Sequence, residues 1–362
     1  KTERMGSVTS AVSLQTNRNK MMNVFQAMAA YFVVFVHFKF PGVMGSLVAD
    51  IAGFAVPFFF AVSGYFFFKG NEETEKKSIP RKITKLLKLV VISELIYFLF
   101  YVCIQIPHTG FRITAITNVI RAEFFDGYVP HLFYRISALI PVFNYAGWFI
   151  VAMIAVYLLM YVILQFSIRK PVIIVSACLL VLSCVLSGIL MTLGLCANFQ
   201  WEKFILFIPL PFFMMGYYIG MNKQKFSSIS NRTYVLLLIF GIVCFSIARL
   251  LRLMDTMDLG TCIVVFAMMC IANKNHGYEP KWWFAKLLSH IGEKHGTTIY
   301  IMHMMIGVTL MAVMKALFGA SGALYQWTLP VLVAVASTVF SVVGASINRI
   351  WKRRRKYENS KN

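Results

Sequence analysis

Charged residues are scarce in this chain of 362 residues, and acidic residues are the scarcest of them. Asp and Glu together number 14 against 35 Lys and Arg, and charged residues make up 14% of the sequence. Soluble domains contain about a quarter charged residues. Apolar residues account for 59% and the mean hydropathy is +0.71. This balance excludes an ordinary soluble protein.

Cysteine pairs at metal-binding spacing are also missing. The 7 cysteines are scattered without a C-x-x-C motif, and most fall inside apolar runs, where a buried thiol behaves as a small hydrophobic side chain. We therefore expect neither a structural metal nor a disulfide. The net charge of +21 could suggest nucleic-acid binding. The basic residues lie in loops between apolar runs, however, so we expect no nucleic-acid partner.

Long apolar segments fill most of the chain instead. Runs of about 17–25 apolar residues are long enough to cross a bilayer as helices. We predict an all-α polytopic membrane protein with about ten transmembrane helices. The predicted spans are residues 21–40, 47–68, 84–106, 145–166, 171–194, 203–221, 233–252, 257–273, 296–318 and 325–349.

The distribution of Lys and Arg predicts the topology. Most of the 35 basic residues fall in the N-terminal segment, the C-terminal tail and alternate loops, and such segments stay in the cytoplasm. We therefore expect both termini in the cytoplasm, with a short segment at 1–20 and one membrane domain at 21–349. An external loop at 107–144 would hold one or two amphipathic or re-entrant helices. The basic tail at 350–362 would lie against anionic membrane lipid.

Two histidines lie within the apolar segments. His37 ends the first one, and His303 lies about two turns into the ninth, where Tyr300 shares its helical face. An ionisable side chain in a membrane helix is costly unless it faces a cavity or a partner, and imidazole suits general base chemistry near neutral pH. The alternatives are structural: His37 could be an interfacial group, and the Tyr300–His303 pair could pack two helices together.

The second apolar segment is unusually aromatic and contains a Ser-Gly pair. Seven of the fifteen residues 54–68 are phenylalanine, with Pro57 and Ser63-Gly64 among the rest. The small pair could be a close contact between helices. It could also be a break that lets the backbone line a cavity, and Pro57 supports that alternative.

Four further polar side chains are candidates. Glu94 lies inside the third apolar run, where a central acid costs about 2.5–3.5 kcal/mol, so it is expected to face the bundle interior. Trp148 opens the fourth run, a position typical of the membrane interface. Arg249 and Arg252 end the seventh run, where they could bind an anionic acceptor or form ion pairs in a loop.

Together these elements resemble the bacterial membrane acyltransferase-3 family, integral membrane O-acyltransferases with a ten-helix domain. The resemblance covers essentially the whole chain and rests on motifs that occur in the family's order. These are the first span ending in His37, Val56-Pro57-Phe58-Phe59-Phe60-Ala61-Val62-Ser63-Gly64-Tyr65, Gly147-Trp148-Phe149, and Gly292 followed by Ile299-Tyr300-Ile301-Met302-His303.

The resemblance implies an acyl-CoA-dependent O-acyltransferase in the bacterial cytoplasmic (inner) membrane. It would move an acetyl or short acyl group from acetyl-CoA to a hydroxyl of a cell-envelope glycan or a lipid-linked sugar, without a metal. The catalytic residues would be His37, His303 and Tyr300. The implied donor-binding residues are Ser63, Gly64, Gln26, Lys76, Lys77, Arg81 and Lys82. The implied acceptor-binding residues are Trp148, Glu94, Arg249 and Arg252.

One position departs from the family, and it bears on the alternatives. The family usually has Arg or Lys eleven residues before the first histidine, where this chain has Gln26. The aromatic segment is also similar to the membrane half of the serine racemases of vancomycin resistance, to which amino-acid transport is ascribed. The alternative is therefore a transporter of a small polar molecule such as an amino acid, favoured by Gln26 but not by the two histidines. A third possibility is a pseudoenzyme that scaffolds envelope synthesis.

Overall fold

Helices make up nearly all of the described structure. The computed structural model describes residues 19–109, 113–124, 141–192, 205–250, 259–319 and 322–359. The α-helices, in chain order, are α1 (Lys20–His37), α2 (Gly42–Ile51), α3 (Ala55–Phe67), α4 (Glu72–Thr109), α5 (Ile113–Phe124), α6 (Trp148–Gln165), α7 (Arg169–Thr192), α8 (Pro209–Met221), α9 (Lys223–Ser228), α10 (Asn231–Leu250), α11 (Leu259–Lys274), α12 (Trp283–Lys294), α13 (Gly296–Phe318) and α14 (Ala323–Glu358). Short 3₁₀ turns occupy Ala52–Phe54 and Tyr145–Gly147.

The predicted all-α class is confirmed, while the count of about ten spans is not. Seven stretches of the described chain are long and apolar enough to cross a membrane, and α11 is a shorter apolar helix. These stretches are Gly42–Phe67, Glu72–Pro107, Tyr145–Gln165, Arg169–Leu186, Asn231–Ala248, Gly296–Phe318 and Ala323–Arg354. Helix α1 is not among the seven because its 18 residues include Lys20, Asn23, Gln26 and His37.

The predicted loop at 107–144 contains a helix, α5. Three isoleucines of α5, at positions 113, 116 and 120, are exposed, and their spacing places them on one helical face. This matches the predicted amphipathic helix. The side of the membrane on which the loop lies stays a prediction.

Helix α1 lies at the centre of the bundle, where it contacts α2, α3, α11, α12, α13 and α14. Its first turn is capped by Asn19, whose side chain accepts from the N–H of Met22 at 2.9 Å and donates to the carbonyl of Ala272 at 2.7 Å. Two glycines let α12 and α13 run against it. A Cβ on Gly292 would lie 1.8 Å from the Asn23 carbonyl oxygen, and one on Gly307 would lie 1.9 Å from the Phe38 ring.

Glycines also set the crossing of α3 with α8. A Cβ on Gly64 would lie 1.9 Å from the Phe213 carbonyl oxygen, and one on Gly216 would lie 1.8 Å from that of Ala61. Helix α3 continues unbroken through Ser63, whose Oγ donates to the Phe59 carbonyl at 2.8 Å. The predicted break at Ser63-Gly64 is therefore wrong, and the small-residue contact is the correct alternative. The span Gly42–Phe67 is interrupted before α3, at the 3₁₀ turn Ala52–Phe54.

Two acidic residues at the start of α4 bind its neighbours: Glu75 binds the end of α8, and Glu72 binds the start of α7. Glu75 is fully buried and accepts from the Tyr217 hydroxyl at 2.8 Å and from the Lys69 N–H at 2.7 Å. Glu72 pairs with Arg169 at 2.8 Å. A buried carboxylate is tolerated when donors surround it, so this network fixes the entry of α4 into the bundle.

The close crossing of α3 and α8 predicts a strong effect of one methyl group. Gly64→Ala should lower the free energy of unfolding by about 1–3 kcal/mol, because the new Cβ meets a backbone carbonyl that cannot rotate away. Gly53→Ala is the matched control, since a Cβ there meets nothing within 4 Å, and it should stay within about 0.5 kcal/mol. Denaturant unfolding in detergent micelles measures both variants. Equal stability of the two would contradict the close crossing.

Candidate active site

A cavity of about 420 Å³ lies between α1, α3, α4, α6 and the junction of α12 with α13. Each of these five parts contributes a polar side chain, and the apolar lining comes mainly from α3, α4 and α6. The polar residues that line it are Gln26, Ser63, Lys82, Lys85, Tyr157, Thr297 and Tyr300. A largely apolar cavity with a few convergent polar groups is the usual form of a small-molecule site.

The two lysines bring uncompensated positive charge into this cavity. The Nζ of Lys82 lies 5.5 Å from the centre of the Tyr157 ring and 5.8 Å from that of Phe67, where aromatic faces attract a cation. Among the described residues, no carboxylate lies within 4 Å of either Lys82 or Lys85. Lysines elsewhere can be paired, as Lys20 is with Glu279. The cavity is therefore suited to an anionic ligand.

Aromatic rings close the cavity on the side of Tyr300. The centre of the Tyr300 ring lies 5.6 Å from that of Phe149 and 6.3 Å from that of Phe59, both nearly edge to face. Tyr300 is 5% exposed, and its hydroxyl donates to the carbonyl of Ala146. Such a wall excludes water from whatever lies behind it.

Two histidine rings lie beyond Tyr300. The rings of His37 and His303 have their centres 5.1 Å apart with an angle of 39° between their planes, and the His303 ring is 6.2 Å from that of Tyr300. His303 is fully buried, whereas His37 ends α1 and is exposed. Gln26, which lines the cavity, and His37 are eleven residues apart on α1, or about 16 Å along that helix.

The hydrogen bond of His303 fixes its tautomer. Its Nδ1 lies 2.7 Å from the carbonyl oxygen of Tyr300, and a carbonyl can only accept, so Nδ1 carries the proton. The Nε2 of a neutral ring is then a bare lone pair. This atom is buried and has no hydrogen-bond partner in the part of the chain that the structure describes. Buried polar atoms almost always have a partner, so an unsatisfied acceptor beside a second histidine points to chemistry.

The junction between α12 and α13 is held by a further histidine. His295 is buried, and its Nδ1 lies 2.8 Å from the Ser341 hydroxyl of α14. Burial, followed by the charges of His290, Lys294 and Arg349, lowers the pKa of His295. A neutral His295 therefore joins the start of α13, next to the cavity residue Thr297, to α14.

The family comparison covers all of these elements. The family described as an acyltransferase domain, Acyl_transf_3, matches residues 19–347. The chain belongs to the acyltransferase-3 family. It is therefore a membrane acyltransferase, which confirms the resemblance seen in the sequence. Neither the curated proteins nor the solved structures give a match.

The structure of this acyltransferase brings many of the predicted residues together. Gln26, Ser63, Lys82 and Tyr300 line one cavity, and the predicted histidines adjoin Tyr300. Within the described chain, no three His, Cys, Asp or Glu side chains cluster as a metal site would require.

Other predicted site residues lie elsewhere. Those outside the cavity lining are Gly64, Lys76, Lys77, Arg81, Trp148 and Glu94.

Four of these residues contact other side chains or face outward. Lys76 lies over the Tyr161 ring at 5.8 Å, while Lys77 and Arg81 are exposed. The ring of Trp148 packs 6.1 Å from that of Phe60.

The predicted acceptor arginines are not placed. Arg249 belongs to α10, but its side chain lies outside the described part of the structure, and Arg252 lies outside the described residues altogether.

Sequence reasoning missed several cavity residues. Lys85 follows Lys82 by three positions, so its place on the same helical face could have been predicted. Phe59 precedes Ser63 by one turn in the same way. Phe149 and Tyr157 come from α6, and nothing in the local sequence indicates which side of that uniformly apolar helix faces α3.

The geometry at His303 predicts a definite NMR signature. With ¹⁵N-labelled histidine in lipid nanodiscs, the His303 signals should show a protonated Nδ1 and an unprotonated Nε2, because the Tyr300 carbonyl holds the Nδ1 proton. The two ring ¹⁵N signals that disappear in His303→Gln are assigned to His303. His37→Gln is the control, because it should remove a different pair. A His303 ring protonated on Nε2 would contradict this tautomer.

Proposed function

We propose that this acyltransferase moves an acetyl or other short acyl group from a cytoplasmic acyl-CoA to a hydroxyl of a cell-envelope glycan or lipid-linked sugar. The observation that supports this best is the arrangement around Tyr300. On one side of that residue is a cavity with uncompensated lysines, and on the other is a histidine pair with an open Nε2. With the CoA phosphates at the lysines, the pantetheine arm would extend past Tyr300 and bring the thioester to the histidine pair.

The donor proposed for the cavity is acetyl-CoA. Its phosphates carry negative charge, and Lys82 and Lys85 offer positive charge with no carboxylate of the described residues within 4 Å. Gln26 lines the same cavity, so the lysines of α4 can supply the charge that the family usually places at position 26. Lys85, which lines the cavity, is therefore proposed to bind the donor together with Lys82, in place of Lys76, Lys77 and Arg81.

His37 is proposed as the general base. It takes the proton of the acceptor hydroxyl while the hydroxyl oxygen attacks the thioester carbon. A C–O bond forms, the C–S bond breaks, and the CoA thiolate leaves and receives the proton that His37 took from the hydroxyl. His303 stabilises the imidazolium of His37 through its unprotonated Nε2, and Tyr300 with its aromatic neighbours keeps water from hydrolysing the thioester.

The acceptor is proposed to arrive where His37 is exposed. The predicted topology places that end of α1 on the outer side of the bacterial inner membrane, where envelope glycans and lipid-linked sugars are found. Surrounding membrane lipid would present a lipid-linked acceptor from the side.

Turnover of labelled donor tests the proposal. Protein in lipid vesicles receives acetyl-CoA labelled on the acetyl group together with an envelope lipid extract, and CoA release and label transfer are followed. Wild type should turn over, and His37→Ala and His303→Ala should each lose about 10²–10⁴-fold in kcat, the usual size of a general base effect. Gln26→Arg should change KM less than about threefold, because Lys82 and Lys85 already supply charge.

The outcomes separate the two candidate functions. Absence of CoA release by wild type, with the extract present, would overturn the acyltransfer proposal. Uptake of a small polar molecule such as serine into the same vesicles would then favour the transporter alternative, which Gln26 supports.

The cavity lysines give an independent test. Lys82→Met and Lys85→Met should each raise KM for acetyl-CoA about tenfold, because a hydrogen bond to a charged group contributes about 1.5–3 kcal/mol and 1.4 kcal/mol is a factor of ten. Lys88→Met is the matched control: Lys88 is exposed on the same helix and does not line the cavity. An equal effect in all three variants would show that only the general charge of α4 matters.

A further inference from the structure

A tyrosine of α4 reaches the backbone of the helical turn that carries His303. The hydroxyl of Tyr97 donates to the carbonyl of Ile301 at 2.7 Å and accepts from the N–H of Met305 at 3.2 Å. An uninterrupted α-helix would join these two groups directly, since N–H of residue i bonds to the carbonyl of residue i−4. Tyr97 is 2% exposed. Its hydroxyl therefore binds both the Ile301 carbonyl and the Met305 N–H, the two backbone groups on either side of His303.

The same face of α4 holds the segment on the other side of Tyr300. Glu94, one turn before Tyr97, accepts from the N–H groups of Phe143 at 2.9 Å and Asn144 at 3.0 Å. Ser93 accepts from the side chain of Asn144 at 2.7 Å. These bonds fix residues 141–147, whose Ala146 carbonyl receives the Tyr300 hydroxyl.

The orientation of the His303 ring depends on this turn. Its Nδ1 is bound to the Tyr300 carbonyl of its own helix, so any rotation or shift of the turn moves the ring with it. Its Nε2 has no bond that could hold it independently. The position of Nε2 relative to the His37 ring is therefore set by the backbone of α13, and Tyr97 is a neighbour that binds that backbone on both sides of His303.

We propose that Tyr97 is a positioning residue, whose hydroxyl sets the turn of α13 at residues 301–305 and so aims the Nε2 of His303 at His37. Glu94 and Ser93 act with it by fixing the loop that receives Tyr300. The proposal rests on the proposed acyl transfer for its effect on rate, but not for its effect on the His303 ring.

Two matched Tyr→Phe variants test it. Tyr234 is also 2% exposed, and its hydroxyl also donates to a backbone carbonyl, that of Phe226, at 2.7 Å. Tyr97→Phe and Tyr234→Phe therefore each remove a buried hydrogen bond to a backbone carbonyl, one beside His303 and one in α10. Tyr97→Phe also removes the bond from the Met305 N–H. Tyr97→Phe should lower kcat at least about tenfold with KM for acetyl-CoA within about twofold, because a misplacement of about 1 Å can cost about 100-fold in rate. Tyr234→Phe should leave both constants near wild type.

Histidine NMR supplies a readout that needs no turnover. The ¹⁵N signals of His303 should shift in Tyr97→Phe and stay in place in Tyr234→Phe. An unchanged kcat in Tyr97→Phe, or His303 signals that move no more than in the control, would overturn the proposal. If wild type shows no acyl transfer, the proposed function fails, and the His303 signals still decide whether Tyr97 sets that ring.

Discussion

The parallel contact of α1 with α12 and α13 is the constraint on which the site depends. Gly292 lets α12 lie against the backbone of α1 near Asn23, and Gly307 receives the Phe38 ring at the far end. Between these two contacts the helices stay in register. This register places Gln26 beside the start of α13 in the cavity and the His37 ring beside His303. A side chain at Gly292 would meet the backbone of α1 and push α12 away from it, whereas one at Gly307 would meet the tip of the Phe38 ring.

Inside a bilayer, backbone that leaves the helical pattern must find donors and acceptors within the protein. The segment before α6 meets this requirement through Glu94, which binds two of its N–H groups. The cost of an acid in a membrane helix predicts that Glu94 faces the bundle interior. That cost is offset here by backbone donors. Within the described residues the buried Nε2 of His303 has no such compensation; a few other buried side-chain atoms also lack a partner, but His303 is the one that lies beside a second histidine ring.

The sequence predicted a substantial part of this architecture. Hydropathy located the helices, and the first-span histidine, the aromatic second span and the Tyr-x-x-His element indicated the family that residues 19–347 match. The prediction was weaker for the donor residues. Lys76, Lys77, Arg81 and Lys82 lie in one basic run, and of these only Lys82 lines the cavity, together with Lys85. A run of lysines carries no local sign of which face of α4 turns inward.

The sequence by itself determined which segments are apolar enough to form membrane helices and which chemical groups they contain, because both follow from composition along the chain. The tertiary structure alone decided how each helix is rotated and which helices meet. It made Ser63-Gly64 part of an unbroken helix packed on Phe213 and gave His303 its Nδ1 proton through the Tyr300 carbonyl. It also brought Tyr97 to the backbone of α13, 204 residues away in sequence. These outcomes depend on contacts between helices that are nearly uniformly apolar, and such helices contain no local pattern from which their orientation could be predicted.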